Sequence, residues 1–405
     1  MRTLRILAVA MLAAGAAIPP IAAHAASYSV VYSFKGGTEG KNPSGLIYIG
    51  GQFYGTTING GSGGRGTVYS MTPSGVETVL YAFSGSTDGR FPESGLISLG
   101  GNFYGTTVRG GSSDFGTVFE VTPAGAETIL YSFKGGTSDG TYPSGLLALG
   151  GTFYGTTDQG GSGTNCTDGA FGCGTIFSVT QAGSETTLYS FPGGSSLFYP
   201  LAGLTNIKNV LYGTASGGGI NGCSGIGCGG VFSVTAKGKE KIVYNFVNLA
   251  DGLSPAADLI NVGGTLYGTT GEGGGTGCAD GLGCGTVFSV TPKGIKKLVY
   301  AFQGGTDGAV PYNSSLVSIG GMLYGTTDEG GSGTGCDDSA GCGTIFAVTP
   351  AGTETVLHSF LGGKDGAFPD ASLIYVKGRL YGITNNGGGK NCAKIGCGTV
   401  FELTP

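Results

Sequence analysis

The 405 residues include 87 glycines and 15 prolines, about a quarter of the chain, yet also 21 phenylalanines and 20 tyrosines. That aromatic content excludes a disordered Gly-rich tract. Past the N-terminus, the longest stretch free of Gly and Pro is Lys239 to Asp251, so helices have almost nowhere to sit. The formal charge is −5, and an acidic, lysine-poor surface argues against nucleic acid and anionic lipid as partners.

Residues 1–25 read as an export signal. Arg2 and Arg5 precede the apolar run Ile6 to Ile18, and Ala23-His24-Ala25 forms a small-x-small cleavage site. The apolar run is short and rich in alanine for a spanning helix, and no later segment is apolar for 18 residues, so no second anchor is expected. Cleavage leaves 18 basic and 25 acidic residues and a single histidine, His358.

Residues 26–405 repeat one sentence seven times. Tyr-x-Phe recurs at Tyr32, Tyr81, Tyr131, Tyr189, Tyr244 and Tyr300, and as His358-Ser359-Phe360, at spacings of 49 to 58 residues. The second unit is the clearest: Gly95-Leu96-Ile97, Gly100-Gly101, Phe103-Tyr104-Gly105-Thr106-Thr107, Gly116-Thr117-Val118-Phe119, Thr122-Pro123-Ala124-Gly125 and Glu127-Thr128. Each unit predicts four strands. Strand A carries Leu-Ile, and a Gly-Gly hairpin turn leads to strand B with Tyr-Gly-Thr-Thr. Strand C is Gly-Thr-Val-Phe, and Thr-Pro-x-Gly turns the chain into strand D. Strand D alternates, with Val79, Tyr81 and Phe83 on one face and Leu80 and Ala82 on the other.

Both strand faces are apolar or small, so each sheet needs cover on both sides. Helix-free units of this length, covered on both faces, stack radially as propeller blades. The last unit stops after strand C, at Thr399 to Leu403, while a spare strand D, Tyr28 to Tyr32, precedes the first. The expectation is an all-β, seven-bladed propeller of four antiparallel strands per blade, with the N-terminal strand completing the last blade. A β-solenoid is the alternative.

The units, from Phe103-Tyr104-Gly105-Thr106-Thr107 through Gly116-Thr117-Val118-Phe119 to Tyr131-Ser132-Phe133, resemble the GloVer tandem repeat of bacterial "choice-of-anchor" surface proteins. The resemblance covers essentially all of residues 26–405. It implies an exported protein of unknown activity, often tethered by a C-terminal sorting segment. No such segment follows Pro405 here, so secretion is expected over tethering. The rhythm is also loosely similar to quinoprotein-like propellers, in fold alone. Their repeat tryptophan is absent, and no cofactor is carried over.

All ten cysteines lie between strands B and C of the last five units: Cys166 and Cys173, Cys223 and Cys228, Cys278 and Cys284, Cys336 and Cys342, Cys392 and Cys397. Even count, close spacing and an export signal point to five local disulfides, each worth about 2–2.5 kcal/mol in the chain-entropy model. Zinc and free or redox-active thiols are the rival readings. These pairs enclose more residues than the usual knuckle and sit on separate blades.

The long D-to-A and B-to-C loops emerge on one face of the disc, where function is expected. There Asp88, Asp139, Asp251, Asp307 and Asp365, with Glu39 in the first unit, recur in the D-to-A loop. Asp158, Glu272, Asp328 and Glu329 follow strand B. This broken ring of carboxylates is the candidate ligand site, suited to a polyhydroxylated ligand or a cation such as calcium. Aspartate before glycine also simply makes a tight turn. The once-per-unit tyrosines Tyr54, Tyr104, Tyr154, Tyr212, Tyr267, Tyr324 and Tyr381 read as interblade packing rather than a sugar-stacking ladder. His358 reads as a packed substitute for tyrosine rather than a base, and no catalytic residue stands out. The favoured function is an exported, monomeric, non-catalytic binding propeller, its partner a glycan or a surface protein. The alternatives are a hydrolase or lyase using loop-face or channel carboxylates, and a structural envelope component.

Overall fold

A computed structural model describes residues 26–405 except 167–170, 220–222, 224–226, 276, 279–280, 337–339, 390–391 and 393–394. The expected export signal, residues 1–25, lies outside the described residues. Seven four-stranded antiparallel sheets follow one another along the chain. The first comprises Lys41–Ile49, Gln52–Asn59, Thr67–Met71 and Glu77–Ala82. The seventh contains Ile374–Val376, Arg379–Thr384 and Thr399–Thr404, and its outer strand is the N-terminal Ser27–Ser33. Ser27 lies opposite Thr404 and Ser33 opposite Thr399. The first and seventh blades also touch, Phe53 packing on Tyr381 with ring centroids 4.7 Å apart. The ring is closed, which overturns the open solenoid. Among the described residues no helix is long and apolar enough to cross a membrane.

The repeated motif is the set of contacts that stacks blades. The tyrosine of strand B lies over the inner face of the next blade: Tyr54 packs on Phe103 at 4.1 Å and Tyr104 on Phe153 at 4.5 Å. In Tyr-Gly-Thr-Thr the glycine leaves room for the strand C phenylalanine, as Gly105 does for Phe119. The first threonine reaches the next blade, Thr106 donating to Ser144 O at 2.9 Å. The second pairs hydroxyls with the threonine of strand C, as in Thr107 with Thr117 at 2.8 Å. That pairing satisfies two buried polar groups that would otherwise be costly.

Plain alternation does not hold in strand D. A one-residue bulge places Val68 opposite Tyr81 but Tyr69 opposite Val79, and every outer strand carries the same shift. The bulged residue has a purpose. Leu80 O presses on Gly125, the turn glycine of the next blade, where φ is +85° and a Cβ would collide with that carbonyl. The glycine of Thr-Pro-x-Gly is thus required twice, by its left-handed backbone and by the close approach.

Candidate functional site

The N-terminal ends of the inner strands converge on a central channel of about 600 Å³, lined by residues from all seven blades. An X-Pro step stands at or before the start of each inner strand: Asn42, Phe91, Tyr142, Tyr199, Ser254, Val310 and Phe368 all precede proline, with φ between 54° and 59°. Residues before proline are normally extended, and non-glycine residues in this region are strained by about 1–3 kcal/mol. Hydrogen bonds to the preceding blade hold them. Phe91 N donates to Arg65 O at 2.9 Å, and Tyr199 N and Phe368 N donate to Cys173 O and Cys342 O, both at 3.0 Å. In five junctions the accepting carbonyl belongs to the second cysteine of a pair.

All five expected disulfides form, within the pairs named above, and no described cysteine is free. Each therefore braces the carbonyl that holds the left-handed residue at the channel mouth. The Cys278–Cys284 bridge also lies against Gly304, which opens the adjoining D-to-A loop.

The predicted carboxylates fall into two groups. Asp88, Asp139, Asp251, Asp307 and Asp365 lie away from the channel, bonded to the outer strand of their own blade. Tyr81, Tyr131, Tyr244 and Tyr300 donate hydroxyls to Asp88, Asp139, Asp251 and Asp307 at 2.9, 2.8, 2.8 and 2.7 Å. Backbone amides of the same loops, such as Ser84 N to Asp88 at 2.7 Å, add to this. Burial alone would raise Asp88, but the Ser84 amide and hydroxyl and the Tyr81 hydroxyl outweigh it and hold the carboxylate below its usual range. These acids shape turns, and the structure does not bring them together. His358 replaces the tyrosine, with Nε2 3.1 Å from Asp365 Oδ2 and its ring stacked on Tyr28 at 3.7 Å.

Asp158 and Asp328 sit at the channel mouth instead. Asp158 lines the channel, and Asp328 lines a hollow beside it with Asn42, Asn59 and Asn386. The channel also holds acids that the repeat pattern did not reveal: Glu93, Asp258 and Asp370. Asp370 Oδ2 accepts from Asn385 Nδ2 at 3.3 Å, while Oδ1 is buried with no hydrogen-bond partner among the described residues. Burial, then the neighbouring Asp328, pushes Asp370 up to about 7, with Asn313 and Asn385 pulling the other way. Asp258 is encircled by protein yet faces the open bore. Burial raises it and a bond from Gly203 N at 2.6 Å opposes that. Burial raises Glu93 as well. The missed signal was departure from the repeat. The inner strand begins Pro-Ser-Gly in units one and three, whereas Glu93, Asp258 and Asp370 interrupt that rhythm. On the mouth, the Arg109 guanidinium lies over Tyr142 at 4.4 Å. Among the described residues no three His, Cys, Asp or Glu side chains gather as metal ligands. The arrangement offers carboxyl and amide hydrogen-bonding groups beside aromatic edges.

The molecule is a closed seven-bladed β-propeller with an axial channel of mixed lining into which four acids, Glu93, Asp158, Asp258 and Asp370, project. The chain belongs to the Gloeobacter/Verrucomicrobia repeat family, whose pattern matches residues 17–168 and 162–401. No curated protein matches significantly. Among solved structures it is similar to puromycin hydrolase, with 12% identity and a TM-score of 0.53 over 86% of this chain and 51% of that one. The chain thus spans about half that enzyme's length. It is also similar to the computationally designed Ika8 protein, with 12% identity and a TM-score of 0.46 over 92% and 98% of the two chains. The PQQ-bound aldose sugar dehydrogenase of Streptomyces coelicolor gives 15% identity and a TM-score of 0.43 over 94% and 98%. At 12% identity the likeness to puromycin hydrolase is one of fold alone.

Proposed function

We propose that this is an exported binding propeller that takes a polyhydroxylated ligand, such as the end of a glycan, at the loop-face mouth of its channel. One observation carries the reading: Glu93, Asp258, Asp370, Asn313 and Asn385 converge on a single bore with Tyr142 and Tyr312 in its lining. Carboxylates and amides bond sugar hydroxyls, and aromatic rings cover their apolar faces. Five disulfides support folding in an oxidising compartment, and with it a secreted, periplasmic or surface location. Glycan arrays followed by calorimetry on the native protein test the reading. A hit should weaken up to about tenfold in Asp370→Asn or Asp258→Asn, the scale of a lost hydrogen bond. Native protein that binds nothing, or variants that bind equally well, would refute it.

One observation favours a second reading, glycoside hydrolysis. Asp370 keeps its proton up to about 7 and so suits a general acid. Turnover of glycosides that falls as pH rises through about 7, and vanishes in Asp370→Asn, would select this reading over simple binding.

A further inference from the structure

The acids outside the channel have a second set of partners. Each D-to-A loop lies against the first residue of strand D in the blade it leads into. Glu77, Glu127, Glu185 and Glu354 hold one register position opposite strand C, the one Lys296 holds in the fifth blade, and Thr187 of strand D donates to Ser138 O of the loop. This sets Glu39 towards Glu77, Asp88 towards Glu127, Asp139 towards Glu185 and Asp307 towards Glu354. The exceptions define the chemistry. At the fifth blade the glutamate is replaced by Lys296, whose Nζ lies 2.6 Å from Asp251 Oδ1 and 2.7 Å from Asp251 O, both side chains largely buried. At the seventh it is replaced by Tyr28, whose hydroxyl donates to Asp365 O at 2.5 Å. At the fourth, Glu240 faces Tyr189, and the loop, Gly193 to Ser196, carries no acid.

Where lysine stands, the charges cancel. Where glutamate stands, no lysine takes its place in strand D, although Lys35 Nζ pairs with Glu39 at 2.9 Å in the first junction, and among the described residues Oε1 of Glu77, Glu127 and Glu354 is buried without a hydrogen-bond partner. Two such carboxylates do not both ionise readily. Asp88, with its tyrosine and amide donors, is the better placed to keep its charge. We infer that Glu77, Glu127, Glu185 and Glu354 each carry a proton in the folded ring, making these four junctions latches that hold the outer edge in mildly acidic medium and loosen as it turns basic.

Other groups face each latch: Tyr32, Tyr69 and Lys35 at Glu77, Tyr81 at Glu127, Tyr131 and Lys134 at Glu185, and Tyr300 at Glu354. Burial first, then the facing acid, pushes all four glutamates from 4.5 up to about 7, against opposing pulls from Lys35 and Lys134. A carboxyl raised in this way binds more protons folded than unfolded. Its stabilisation is complete below about 4.5 and is lost as pH rises through about 7.

Glutamate labelled with 13C at its side-chain carboxyl reads this directly in the native protein. Four resonances should titrate near pH 7 and be missing from the E77Q/E127Q/E185Q/E354Q variant. The native melting temperature should fall by a few degrees between about pH 5 and pH 8, and that of the variant should fall less, the slope left over coming from Asp370 and the other raised acids that it keeps. Glu127→Lys, which copies the Lys296 arrangement, should melt higher than native at about pH 8. Glutamates that all titrate in the ordinary carboxylate range would overturn the inference, as would an unchanged pH slope in the variant.

Discussion

Gly125 shows how narrowly a single residue can be specified. Its φ of +85° and the carbonyl of Leu80 leave no place for a Cβ, so Gly125→Ala should cost about 1–3 kcal/mol in chemical denaturation. A buried hydroxyl pair makes a related case. Thr157 and Thr175 share a bond of 2.8 Å, and Thr157→Val would strand its partner at about 1–3 kcal/mol. The double change to valine should recover part of that loss, because the Thr175 hydroxyl is then no longer stranded, although Gln159 O and Thr175 N still lose the Thr157 hydroxyl. The fourth blade has already made such an exchange. Ala215 and Gly230 occupy the threonine positions, and Leu197, fully buried, packs against Gly230.

The loops show how elements are braced. A disulfide between strands B and C ends at the carbonyl that holds the next blade's left-handed residue, as Cys284 O does for Val310. Reduction should therefore act at the channel mouth rather than in the sheets. Hydrogen exchange on reduced protein should quicken in the B-to-C loops of blades three to seven and in the X-Pro steps they hold. The first two blades, whose loops lack cysteine, should change little. Equal quickening across all seven blades would contradict this account.

At the scale of the whole molecule, closure depends on the N-terminal strand. Ser27–Ser33 pairs with Thr399–Thr404, and Tyr28 packs against His358 and Phe401. Removing residues 26–33 would leave strand C of the last blade as an open edge. The shortened chain should aggregate or expand, read as a larger radius of gyration in X-ray scattering.

The sequence by itself determined the number of blades, the closing strand, the disulfide pairs and the side that carries the long loops. Each of these rests on local spacing repeated seven times, and repetition separates pattern from accident. Even the tyrosines were readable, since a residue present in every blade serves the contact between blades. Tertiary structure decided where the acids act. Asp88 and Asp370 are both acids in the connection from strand D to strand A, yet one braces a turn near the outer edge and the other faces the channel. The position of a carboxylate in a unit does not say which neighbouring blade it meets, and the channel exists only once seven inner strands converge. Its chemistry is carried by departures from the repeat, Glu93, Asp258 and Asp370, which gain meaning only from the residues that ring closure sets around them.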